Sequence, residues 1–258
     1  MEFVKIFEDL TGLQLAFLAS AYCFGFLVKG FFGFGAVPPM LLAGSLLMPP
    51  HQAVLLAGLI NAMSQVFLLP DGLRHGARRT AGSMALLIVP GLLLGVMVFR
   101  ELSSERLQLY LGLIIVAFVF LDGPGIRPYI EPLIERSPRI FGVCTALMTG
   151  LMAGLIGAGG MIFMSTFLRY RISDRLRFRG TIILIVTAML AVRTGLLVAS
   201  GLVTVGLALQ AMVFIPAGIF GAYAGSWLSR KLTNDNYFRA YRVFLVVSAL
   251  VFTARAVV

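Results

Sequence analysis

At 258 residues, 59% hydrophobic and only 12% charged, with a mean hydropathy of +0.97, the chain is far more apolar than a water-soluble domain of its length. It reads as a polytopic integral membrane protein with almost no length left over for a soluble domain. The net charge of +10 would suit a nucleic-acid binder, but the basic residues fall between apolar segments, so they report topology; lipid is an expected partner and nucleic acid is not.

The N-terminal "MEFVKIFEDLTG" carries three acids and one lysine and lacks the positive n-region of a signal peptide, so it is read as mature sequence. The first apolar segment, 13–32, holds Cys23 and Lys29 and runs into the glycine cluster "GFFGFGA" at 30–36. A second segment, 36–48, opens with Pro38 and Pro39, where a helix start tolerates proline. His51 follows in the turn "PPHQ". Segment 53–70 places Asn61, Ser64 and Gln65 on one helical face, and the connection 71–79 bears Arg74, Arg78 and Arg79. Segments 81–99 and 107–121 flank the charge-balanced turn "RELSSER", and 122–139 is basic again through Arg127, Arg136 and Arg139.

The next apolar run, 139–168, contains Cys144 and the cluster "GLIGAGG" at 154–160. Both cysteines lie in apolar surroundings without metal or redox spacing and are expected as buried small hydrophobes. Five arginines crowd 169–179; segment 180–199 carries Thr181, Thr187 and Arg193; segments 204–228 and 238–257 close the chain around the basic connection 229–242.

Charge and length together force a break in 139–168. The four strongly basic connections (71–79, 122–139, 169–179 and 229–242) all belong in the cytoplasm by the positive-inside rule. An even number of passes must therefore join 139 to 169. Those residues span about 45 Å of helix, against about 30 Å of hydrocarbon per crossing. Two shortened helices meeting at "GLIGAGG" and turning back reconcile the two, giving a re-entrant hairpin whose tip is buried at membrane depth.

The same pattern occurs twice. Gly30, Gly33 and Gly35 match Gly154, Gly157 and Gly159; "PGLLLG" at 90–95 matches "PAGIFG" at 216–221; "LSSER" at 102–106 resembles "LTNDN" at 232–236. The expected architecture is an all-α polytopic membrane protein of two repeats, 1–125 and 126–258. Each is a broken hairpin followed by three transmembrane helices. An odd number of passes inverts the second copy and puts the N-terminus outside, an arrangement by which secondary transporters build and alternate a central site.

Freed N–H groups and half-helix dipoles at such breaks favour an anion. The candidate substrate residues are Gly30, Gly33, Phe34, Gly35 and Pro38 at the first break and Gly154, Gly157, Ala158, Gly159 and Gly160 at the second. Lys29 and Arg193 join them as intramembrane cations, and Asn61 and Gln65 as hydrogen-bonding partners. Close helix packing is the competing role for the glycines, and helix-to-helix hydrogen bonding for the polar residues. No metal or cofactor is expected. The coupling ion, H⁺ or Na⁺, stays open, as does assembly into a homo-oligomer.

The stretches "GFLVKGFFGFGAVPPMLL" and "GLMAGLIGAGGMIF" resemble the sulfite exporter TauE/SafE family of bacterial and archaeal membrane permeases, over residues 12 to 256. The chain departs from that family in having no proline between Met161 and Ser165. The resemblance implies a transporter of the inner (cytoplasmic) membrane that exports small sulfur-containing anions such as sulfite or sulfoacetate. The alternatives are an anion channel with a fixed pore and a membrane-embedded enzyme. Against the enzyme, both histidines lie in connections, and no HExxH or buried acid pair is present.

Overall fold

The structure, a computed structural model, describes residues 10–103, 132, 136–157, 160–241 and 243. All secondary structure among them is helical: α1 (Gly12–Phe32), α2 (Val37–Gly44), α3 (Pro50–His75), α4 (Arg78–Glu101), α5 (Pro138–Ile156), α6 (Met161–Arg171), α7 (Arg175–Ala199) and α8 (Val205–Lys231), with further helical turns over 234–241. Six of these helices are long and apolar enough to cross a membrane; α2 and α6 are the short ones. The expected segment 107–121, most of the expected segment 238–257, the N-terminal nine residues, and Ala158 and Gly159 lie outside the described residues.

Each glycine cluster ends a helix as expected. α1 starts in a capping box, Thr11 with Gln14, and stops at Gly33, whose φ of 90° is left-handed and whose N–H donates to the Lys29 carbonyl. α5 stops in the same way at Gly157, φ 100°, with its N–H on Ala153. Only glycine adopts this conformation without strain, so the breaks are local in origin. Pro38 stands in the first turn of α2, as anticipated.

Both short helices fold back along the helix before them. α2 lies against α1, with Gly25 under Ala36 and Met40 and Gly44 beside Tyr22. α6 lies against α5, where Thr149 Oγ1 donates to the Gly160 carbonyl at 3.0 Å and Gly142 faces the Phe167 ring. Each hairpin packs on one long helix through small residues: α1 crosses α8 where Gly30, Gly221 and Gly225 meet opposing backbone, and α4 crosses α5 through Gly91, Gly95, Gly150 and Gly154. Small residues let backbones approach in lipid, where van der Waals packing rather than water exclusion holds helices together. α3 and α7 run antiparallel between these pairs, with Gly58 beside Arg193 at one end and Ala77 N donating to Thr181 Oγ1 at 2.9 Å at the other.

Three expectations are corrected. The connection 71–79 shrinks to the short link between α3 and α4, because α3 continues through Pro70 to His75; likewise the arginines of 169–179 are largely helical, in α6 and α7. Proline inside a membrane helix is tolerated where neighbouring groups satisfy the freed backbone. His51, expected in a turn, sits in the first turn of α3, 4.9 Å centre to centre from the Phe99 ring. Finally, Cys144 is exposed and Cys23 half-buried. Cys144 lies near Ile140, Val143, Leu147 and Met148, all exposed on α5, an apolar surface suited to lipid.

Candidate functional site

The two glycine breaks do not meet at one point. Gly33 abuts α7 at Arg179, Ile182 and Ile183, where a Cβ would lie 3.2–3.3 Å from their atoms. Gly157 abuts it at Arg193, 3.7 Å from the guanidinium carbon. The contact points on α7 are about 16 Å apart along the helix axis at 1.5 Å rise per residue. Each break thus passes the middle of α7 from its own side, and the stretch between them holds the polar residues of α3 and α7.

Two buried cations dominate that stretch. Lys29, 1% exposed on the last turn of α1, donates from Nζ to the Asn61 carbonyl at 2.9 Å and to Asn61 Oδ1 at 2.5 Å, and lies 5.4 Å from the centre of the Phe26 ring. Arg193, also 1% exposed, crosses from α7 to Gly58, where any side chain would collide with its Nη1. Its Nε and Nη2 are buried without a hydrogen-bond partner among the described residues. Gly58 and Asn61 are three residues apart on one face of α3, so the cations reach that helix one turn from each other. No ion pair among the described residues involves either of them. Burying charge is costly unless it is paired, and here two like charges share a face with donors to spare.

Gln65 continues this face one turn on. Its Nε2 donates to the Ile183 carbonyl at 3.1 Å and to Thr187 Oγ1 at 2.9 Å, while its Oε1 is buried without a partner among the described residues. Ser64 is tied back to the Asn61 carbonyl at 3.1 Å. Gln65 and Thr187 also border a cavity of about 600 Å³ between α3 and α7 whose other walls, Leu59, Met63 and Leu190 among them, are mainly apolar.

The remaining candidates separate by position. Gly30 and Gly154 stand at the α1–α8 and α4–α5 crossings, and Gly160 packs on Thr149; helix packing accounts for all three. Phe34 is buried in an aromatic group with Phe32 and Tyr241. Gly35, φ 97°, lies in the link into α2 and Pro38 in its first turn, both half-buried. Ala158 and Gly159 lie outside the described residues.

Two features escaped the sequence reading. Gly58 makes room for the Arg193 guanidinium; its only signal was a glycine in the middle of an apolar helix. Arg179, counted as a loop residue, is 3% exposed and gathers four elements. It pairs with Asp71 of α3, donates from Nε (3.0 Å) and Nη2 (2.7 Å) to the Gly30 carbonyl of α1, and reaches Ser226 of α8 at 2.6 Å. Asp71 also meets Arg230 at 3.3 Å and His75 at 3.2 Å. No group of metal-ligating side chains occurs among the described residues.

The family model described as Sulfite exporter TauE/SafE matches residues 17–252. A protein of Cupriavidus necator described as a probable sulfite/organosulfonate exporter TauE is 26% identical over 221 residues, covering 86% of this chain and 84% of its own length. No solved structure matches.

Proposed function

The chain belongs to the sulfite exporter TauE/SafE family of membrane transporters, and from there we propose that it exports small sulfur-containing anions, sulfite or a short organosulfonate such as sulfoacetate, across the inner membrane. The observation that carries this reading is the pair Lys29 and Arg193. Both are fully buried, no carboxylate pairs with either among the described residues, and two guanidinium nitrogens are left open. A planar guanidinium and an ammonium suit a compact oxyanion better than a single charge would. Asn61 orients the ammonium, and Gly58 gives the guanidinium its seat against α3.

Alternating access follows from two inverted repeats, 1–125 and 126–258, with the N-terminus outside. The equivalent hairpins, the matching crossings α1–α8 and α4–α5, and the antiparallel α3–α7 pair support this symmetry. The breaks at Gly33 and Gly157, at different depths along α7, flank the substrate from the inner and the outer side. At the inner end the Asp71–Arg179 pair ties α1, α3, α7 and α8 together and closes that side.

Binding of sulfite, sulfate, thiosulfate, sulfoacetate and acetate to purified protein, read as thermal stabilisation, tests the proposal. A ligand at a hundred times its Kd adds about 2.7 kcal/mol. Sulfur oxyanions are expected to stabilise the wild type, and Lys29→Ala to lose the shift. Absence of any shift in the wild type, or an unchanged response in Lys29→Ala, contradicts it.

A further inference from the structure

On the stretch of α3 and α7 between the breaks, one buried side-chain acceptor has no hydrogen-bond donor among the described residues. Gln65 Oε1 is an acceptor, 3% exposed as a residue, and has no donor among the described residues. Its orientation is fixed from the other side of the amide. Nε2 is held by both the Ile183 carbonyl and Thr187 Oγ1, and Thr187 in turn donates to Ile183 at 2.7 Å. Turning the amide over would set Oε1 against a carbonyl oxygen, so the acceptor stays presented.

Asn61, which holds the Lys29 ammonium, precedes Gln65 by four residues on the same face of α3, about 6 Å along the axis. The site therefore offers two cations for an anionic head and, one turn away, an acceptor that only a donor can satisfy. Resting on the anion-binding reading above, we infer that Gln65 sets specificity within the substrate class. It selects sulfonates that carry their own hydrogen-bond donor two carbons from sulfur, a hydroxyl or an ammonium, over sulfonates that end in a methyl group. A buried acceptor left unmet by the wrong ligand discriminates more strongly than a merely tight pocket does.

The test compares 2-hydroxyethanesulfonate with ethanesulfonate, equal in charge and differing by one hydroxyl, by calorimetric titration of the full-length protein, with sulfite as reference. The wild type is expected to prefer the hydroxyl compound by about tenfold or more. Gln65→Met is expected to erase the preference, bringing the ratio of the two affinities to about one. Equal affinities in the wild type overturn the inference, and so does a preference that survives Gln65→Met; the wild-type comparison decides even where that variant does not fold. If sulfite and ethanesulfonate bind and no preference appears, the inference alone fails. If no anion binds at all, the proposed function fails with it.

Discussion

Replacing Arg193 with methionine should move stability and binding in opposite directions. Arg193 is 1% exposed, and its Nε and Nη2 have no hydrogen-bond partner among the described residues. Hydrogen bonds to charged groups contribute about 1.5–3 kcal/mol each, so two such donors to a bound oxyanion amount to about 3–6 kcal/mol. At about 1.4 kcal/mol per decade that is a loss of roughly 10²- to 10⁴-fold in affinity. The fold stands to lose little, because an unpaired buried charge is itself unfavourable and methionine adapts to irregular space. Without ligand, Arg193→Met is therefore expected to unfold at or above the wild-type temperature. Titration calorimetry with sulfite and a thermal melt without it, on one preparation, give both numbers. A variant that binds sulfite with wild-type affinity refutes the reasoning, as does one that melts far below wild type without ligand, since Arg193 would then be a structural residue.

Further substitutions separate local conformation, packing and charge. Gly157→Ala meets only ordinary contacts, 3.7 Å to Arg193, but holds a left-handed φ of 100°; a cost of about 1–2 kcal/mol in melting is expected from backbone conformation alone. Gly30→Val drives a side chain into the Ala222 backbone across the α1–α8 crossing, and folded yield in detergent should fall sharply, whereas Gly82→Ala, with open space around it, should be neutral or mildly stabilising. Asp71→Leu strands the buried Arg179 and should cost about 3 kcal/mol or more, with the double variant Asp71→Leu/Arg179→Leu recovering part of that loss in a melting cycle.

What could be read in advance was whatever a short stretch of chain decides alone. Glycine in a helix interior is costly, so the breaks at Gly33 and Gly157 announced themselves, and charge counting placed the second break before any contact was known. Lys29 and Arg193 stood out because lysine and arginine are rare within membrane spans. What stayed hidden depends on partners far along the chain. Arg179 looked like one more loop arginine until α3 brought Asp71 to it, 108 residues away in sequence. Gly30 and Gly154 belong to the same motifs as Gly33 and Gly157 yet face neighbouring helices, a distinction set by which side of α1 and α5 is covered. Gly58 had no neighbour in the sequence to suggest an arginine seated on it, and the depth of each break along α7 follows from the helix crossings.

The most direct measurement is uptake of labelled sulfite into proteoliposomes by counterflow, comparing the wild type with Lys29→Met/Arg193→Met at equal reconstituted amounts. Saturable counterflow by the wild type and background flux by the double variant are the expected results. Wild-type counterflow by the double variant would contradict an anion site built on these two cations.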